Sequence, residues 1–406
     1  MQERAFTNRF NLYGATQSLV EAAKLLAPRL RRRAAEAEQQ RMVHPETIAE
    51  MREAGLFRLM QPPAYRGFGR EFADYIVVAE ELGAGCPSSA WIYGNAILKS
   101  WMVGMYPREA QDDVWAREPD TIVSSILRPT GRSKPVSGGD RLSGKWSYVS
   151  GVDHTQWTII GSMRELAGGA LEPVVHLVPR HDYRIEDNWH VAGLVATGSK
   201  DIVLADVFVP VHRTLSMKQA QSGASPGAAL YPENPVFRVP LMSSFGFFIC
   251  APIMGIAKGA IGCFLETVGM RSTLGAAAGG GGVGLSSLPT IQLRLAEAQM
   301  RFEASRAAML DAAVATIHEA VRDGGLSASQ RIANRRAQSY ASRIAVEAVD
   351  LLFEALGAGG LFLSQHLQRY WRDAHAGAAH FGVNWDAIRI MAGQHAAGHE
   401  PELKYY

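Results

Sequence analysis

Near the end of the chain, His375 and His380 stand five residues apart. That interval puts them on different faces of a helix, a poor spacing for a shared metal ion. The cysteines, Cys86, Cys250 and Cys263, have no C-x-x-C spacing and are too few for a disulfide framework. Cys250 and Cys263 lie in apolar surroundings and read as small core residues. The run Gly279–Gly284 (GGGGVG) fits G-x-G-x-x-G at Gly279, Gly281 and Gly284. It follows a helical stretch rather than a strand, so it reads as a linker between helices and not as a dinucleotide fingerprint. No P-loop, HExxH or GxSxG is present, which leaves activated-serine chemistry and metal chemistry without a constellation. One string offers more. In LSGKWSYVSGVDHTQW (142–157), strand alternation places Tyr148 and Ser150, an aromatic ring and a hydroxyl, on one face.

The elements that would hold these residues follow from composition and period. The chain has 406 residues, 47% hydrophobic and 20% charged, with net charge +2. That length suits two or three domains, the composition excludes a disordered chain, and the charge argues against nucleic acid as a partner. The N-terminal MQERAFTNRF has no signal-peptide core. The longest apolar stretch, 241–257, carries serines and a proline and reads as a buried helix. The expectation is therefore a cytoplasmic protein with no membrane span. Helical spacing runs through 14–58, with Arg29–Arg33 as a solvated face because glutamates follow at once. It resumes at 71–82 and 89–104. Short β-branched runs then alternate with turns at 121–126, 145–150, 157–163, 172–179 and 201–210, the signature of a sandwich or small barrel. Residues 216–236 read as a long small-residue loop, a lid or a disordered segment. Long helices follow at 241–274, 289–323 and 328–356, with shorter ones at 364–380 and 384–396. Helices that long must pack on one another, which favours an antiparallel bundle. The expected domains are a helical 1–120, a β domain at 121–236 and a helical bundle at 237–406.

This order, joined to four strings, resembles the acyl-CoA dehydrogenase superfamily, and within it the oxygenase components of two-component flavin-dependent monooxygenases. The implied fold is mainly α with a central β domain and a C-terminal four-helix bundle. In the first string, 142–157, Tyr148 and Ser150 fall where the superfamily faces the flavin ring. The second, WHVAGLVATGSKDIVLADVFVP (189–210), resembles a turn and strand before the bundle, with Thr197, Gly198 and Ser199 as a structural turn. The third, EALGAGGLFLSQHLQRYWRDAHAGAAHFG (354–382), resembles a Gly-Gly turn and an Arg-Asp helix. Gly359 and Gly360 would approach a flavin in a neighbouring subunit. The dehydrogenases commonly carry a catalytic glutamate nine residues after the arginine. Counting from Arg372 gives Phe381, and 240–252 holds no acid either. The monooxygenases have a histidine one position earlier, which is His380 here, with His375 as the weaker alternative. In the fourth, CPSSAWIYGNAILKSW (86–101), Lys99 stands where many relatives have histidine. It would pair with a phenolate oxygen or point to solvent. By the same resemblance Ser125 meets the flavin or its oxygen adduct, and Arg271 meets flavin phosphate.

The resemblance implies a monooxygenase that takes reduced FMN or FAD from a separate reductase and adds O2 at flavin C4a. It would hydroxylate a small aromatic, phenol-like substrate through a C4a-hydroperoxide. Ser150, as a hydroxyl donor near flavin N5, would stabilise the flavin adduct, and His380 would act as base on the substrate hydroxyl, a role suited to imidazole. The substrate would lie between flavin, Trp91, Tyr148, Phe245 and Phe248. A homotetramer is the expected assembly. N- or S-oxygenation, acyl-CoA dehydrogenation, and a helical scaffold that has lost flavin binding remain as other readings.

Overall fold

Alanine, leucine and glutamate at helical spacing open the chain as α1 (Gly14–Gln40) and α2 (Pro45–Glu53) in a computed structural model that describes residues 14–272 and 282–401. The glycines Gly279 to Gly281 of the linker lie outside the described residues. The basic run behaves as a solvated face: Arg33 and Arg29 pair with Glu50, and Arg31 with Glu266. A capping box between Glu71 and Asp74 starts α3 (Phe72–Gly85). Pro87, which has no N–H to leave unpaired, starts α4 (Pro87–Val103), and α5 (Arg108–Trp115) follows.

The β region forms β1 (Val123–Val136), β2 (Gly139–Val149), β3 (Trp157–Glu165), β4 (Leu171–Pro179), β5 (Arg184–Glu186), β6 (Lys200–Pro210) and β7 (Thr214–Ser216). These strands pair as one seven-stranded sheet in the order β5-β6-β2-β1-β3-β4-β7, and β4 and β6, four places apart in that order, still touch, so the sheet folds over on itself as the expected sandwich or barrel would. Only β1 and β3 run parallel; the other pairs are antiparallel. The sheet has its own core around Trp146, whose indole N–H donates to the Gly161 carbonyl at 2.7 Å. Gly131 makes room for that ring, since a Cβ there would fall 2.0 Å from it.

Residues 216–236 are not a lid. They fold as α6 (Met217–Ser222), α7 (Pro226–Leu230) and a short 3-10 turn. Small residues suit this packing: a Cβ on Gly227 would meet the Gly104 carbonyl. Tyr231 and Phe237 anchor the segment in the core, with the Tyr231 hydroxyl donating to Gln111 and Trp101 Nε1 donating to the Val236 carbonyl.

The C-terminal part holds α8 (Leu241–Met270), α9 (Pro289–Asp323), α10 (Ala328–Ala355), α11 (His366–Ala378) and α12 (Trp385–Ala396). By length and composition α8 could cross a membrane, yet most of it is buried inside the fold. It packs against α3, α4, α10 and α11. Gly83 and Gly255 let α3 and α8 approach backbone to backbone; a Cβ on Gly83 would sit 2.8 Å from the Gly255 Cα. The N-terminal helices, the sheet and the bundle all reach one cavity.

Candidate active site

A cavity of about 450 Å³ lies where α4, β1, the end of β2, the 189–199 segment, α8 and the α11–α12 junction meet. Of the residues singled out in the sequence, Trp91, Lys99, Ser125, Tyr148, Ser150, Phe245 and His380 all line it. The others do not. Phe248 is a core residue, its ring 4.7 Å from Tyr75 and 5.7 Å from Trp101. Three residues on from Phe245, it lies about one helical turn further along α8, where the rings of Phe72, Tyr75 and Trp101 enclose it. Arg271 and Gly359 lie together elsewhere, beyond the far end of α8, with Gly360 next in the chain. A Cβ on Gly359 would come within 3.0 Å of the Arg271 guanidinium. His375 is turned away from the cavity and meets Asp350 at 2.9 Å.

Tyr148 and Ser150 reach the cavity by a different route from strand alternation. β2 ends at Val149, Tyr148 has φ +70°, and Gly151 has φ +72°. The chain therefore turns just where the pair occurs. Tyr148 stands out from the sheet with its ring edge-on to Trp189 at 6.0 Å.

Ser150 ends a line of hydroxyls whose protons can be followed. Thr197 Oγ1 donates to the Leu194 carbonyl at 2.7 Å. Its one proton is thereby used, so Ser199 Oγ, at 2.8 Å, donates to it. Ser150 Oγ, 2.7 Å from Ser199 Oγ, must in turn donate to Ser199. Trp91 Nε1 donates to Ser150 at 3.3 Å. One lone pair of Ser150 is left for a ligand, so the group is an acceptor and not the donor expected from the sequence, its proton being held by Ser199. Thr197 and Ser199 were read as a structural turn; they are that, with Gly198 at φ +52°, and they also line the cavity.

The segment carrying them is fixed from α11. Asp373, fully buried, accepts the Leu194 N–H at 2.5 Å, and Arg372 donates to the Ala192 carbonyl at 2.7 Å. Burial pushes the Asp373 carboxyl up to about 7. Gly193 is required here, because a Cβ would come within 2.5 Å of the Arg372 carbonyl.

His380 caps the turn at Phe381–Val383, and its Nδ1 accepts the Gly382 N–H at 2.9 Å. The neutral ring must then carry its proton on Nε2, which has no protein partner among the described residues. Burial, with the nearby Lys99 and Arg335 charges, holds the imidazole neutral, its pKa lowered to about 3. Phe245 stacks on the ring at 5.7 Å and Trp91 meets it edge-on at 5.8 Å. The aromatic at the dehydrogenase base position, Phe381, lines the cavity. Lys99 does not point to solvent. It is fully buried, with Nζ 2.7 Å from Asn95 Oδ1, and burial lowers its pKa from 10.5 to about 7. The Asn95 amide is oriented by its own donation to the Trp91 carbonyl at 2.9 Å. No carboxylate is among the described residues that line the cavity. Asn95, Arg128, Trp189 and Leu194, which carried no sequence signal, line it too.

Residues 16–118 match the family model described as acyl-CoA dehydrogenase, N-terminal domain, and residues 247–385 match that of the C-terminal domain. The chain is 39% identical over 385 residues to the oxygenase component of an FADH2-dependent resorcinol hydroxylase from Rhizobium sp. (strain MTP-10005), covering 94% of each chain. It superimposes on the 3-HSA hydroxylase of Rhodococcus sp. RHA1 with a TM-score of 0.87 at 32% identity, covering 94% of this chain and 97% of that one. A further match is XiaF from Streptomyces sp., in complex with FADH2 and glycerol, with a TM-score of 0.88 at 26% identity, covering 98% and 100%. The chain belongs to the acyl-CoA dehydrogenase superfamily. Within it, the chain is a member of the oxygenase components of two-component flavin-dependent monooxygenases.

Proposed function

We propose that this protein hydroxylates a small phenol in the cavity between α4, the sheet and the α11–α12 junction, as one of a homotetramer. Reduced FMN or FAD, delivered by a separate reductase, would supply electrons and, with O2, the transferred oxygen. The observation that carries the reading is the polar set: Ser150, Lys99 and His380 converge on one aromatic-lined cavity with no carboxylate among its described residues. Removing a proton beside an acyl thioester calls for such a carboxylate base. A ring that needs its hydroxyl held or ionised does not.

The residues present suit a flavin. Ser150 offers a lone pair, which fits the N5–H that reduced isoalloxazine carries and the oxidised ring lacks. Ser125 and Tyr148 border the same space, and Trp91, Phe245 and Phe381 supply apolar walls for a planar ring. The Arg271, Gly359 and Gly360 corner would take the phosphate end of a flavin whose ring lies in another copy. Exposed Leu361, Phe362 and Leu363 beside that corner support an interface there.

The test is turnover with anaerobically reduced FMN or FAD, 18O2 and a panel of monohydric and dihydric phenols. A ring-hydroxylated product with one labelled oxygen is expected. Hydrogen peroxide as the only oxygen product across the panel would sink the reading.

A further inference from the structure

Buried cations usually have a counter-ion, and Lys99 has none among the described residues. The residue is 1% exposed, its hydrogen bond goes to the Asn95 amide, and the cavity it borders holds no carboxylate among its described residues. An uncompensated charge in such a place is costly, so the site is built to receive an anion or to let the amine lose its proton. His380 is the other group at this end of the cavity, and its lone pair is already committed to the Gly382 N–H. What it shows the cavity is an Nε2–H, a donor. To act as a base it would have to become a second cation beside Lys99 and Arg335 in a buried position.

We infer that Lys99 takes the proton of the substrate hydroxyl and then holds the oxygen anion, while His380 serves as a fixed donor to that same anion. The inference rests on a phenol occupying the cavity, as proposed above. The step is a proton transfer with no redox change. The phenol O–H bond breaks, an N–H bond forms on Lys99 Nζ, and amine plus phenol become ammonium plus phenolate. Net charge is unchanged, so the step brings no new net charge into the cavity, and the ion pair it makes is held in low dielectric. The proton returns to the product oxygen as product leaves. Asn95 fits both states, because its Oδ1 accepts from amine or ammonium and its Nδ2 is tied to the Trp91 carbonyl. The charged and titratable groups around the pair are His380 and, behind it, Arg335, together with Arg128 and Tyr148 on the sheet side. Burial brings the Lys99 amine to about 7, so near neutral pH a share of it is uncharged and able to accept a proton.

The division of roles separates two variants. Lys99→Met keeps the shape and removes the base; His380→Gln keeps an N–H donor and removes the imidazole. The probe is 4-nitrophenol, whose phenolate absorbs visible light, titrated against pH on the full chain without flavin. Circular dichroism checks that each variant folds. In the wild-type protein the bound probe should ionise at least about one pH unit below the free probe. Lys99→Met should abolish that shift, and His380→Gln should retain most of it. A wild-type protein that leaves the probe unshifted overturns the inference, as does a shift that survives Lys99→Met and disappears in His380→Gln. Flavin is absent, so the result stands apart from turnover. A protein that ionises the probe but makes only hydrogen peroxide with reduced flavin would keep this inference and lose the hydroxylation reading.

Discussion

The direction of one hydroxyl proton decides what Ser150 presents to a ligand. Thr197 and Ser199 pull that proton away from the cavity, so Ser150 accepts. Ser199→Ala frees the proton to point inward and turns the acceptor into a donor, which suits oxidised rather than reduced flavin. The ratio of oxidised to reduced flavin dissociation constants should fall about tenfold, the worth of one hydrogen bond. Anaerobic titration of both redox forms measures it, and an unchanged ratio would count against the acceptor role. Lys99 makes a separate prediction about stability. Its pKa falls from 10.5 unfolded to about 7 folded, so between these values the unfolded chain binds more protons. The penalty for burying it is complete below about pH 7 and fades as pH rises toward 10.5. Lys99→Met should therefore raise the urea midpoint below pH 7 and raise it less at pH 10. Each unit of displacement is worth about 1.4 kcal/mol. Ser150, Lys99 and His380 were legible because they sit in strings with a pattern. The place of Ser199, read only as a turn residue, and of Asn95 and Arg128 in the site was not, since a hydroxyl in a turn, or a polar residue on a helix or strand, has no period to mark it. Phe248 was misplaced because two phenylalanines three apart, on a helix turn buried nearly all round, give no clue to which one meets a cavity.

Among the elements, the 189–199 segment depends on a helix far along the chain. α11 holds it through the Asp373 carboxylate and the Arg372 guanidinium. Asp373→Ala should leave the fold intact but loosen the segment. Hydrogen exchange should quicken at 192–199, and the KM for reduced flavin should rise by about tenfold, the cost of one buried hydrogen bond. Asp373→Asn, which keeps an acceptor oxygen, should behave nearly as wild type; equal effects from both variants would show that the bond to Leu194 is not what matters. The helices of the bundle were legible almost to the residue because their apolar period is long and uninterrupted. α9, expected at 289–323, is Pro289–Asp323. The 216–236 segment was not, because its glycines, serines and alanines give no period. Its order comes from two anchors, Tyr231 and Phe237, whose partners lie in α4 and α5 and in the bends between them. The sheet showed its strands in the sequence but not its closure, which depends on pairings such as β1 with β3 that no local pattern records.

For the whole molecule, the apolar residues left outside the fold matter most. Leu361, Phe362 and Leu363 are 65%, 67% and 78% exposed, more than a solitary copy would ordinarily leave uncovered in one run. Phe362→Asp should lower the solution mass measured by light scattering toward that of one chain; an unchanged mass would move the interface elsewhere. If Arg271 takes the flavin phosphate, as proposed, α8 sets the distance that calls for such an interface. It carries Phe245 near its start and Arg271 just past its end, roughly 39 Å apart at 1.5 Å per residue. A flavin ring resting against Ser150 cannot place its phosphate on the Arg271 of the same chain. The two halves of the binding site would then be inherited from different copies, and two dead variants could repair each other. Ser150→Ala and Arg271→Ala, each inactive alone, should regain turnover when unfolded together and refolded as a mixture, since about a quarter of the sites would combine two undamaged halves.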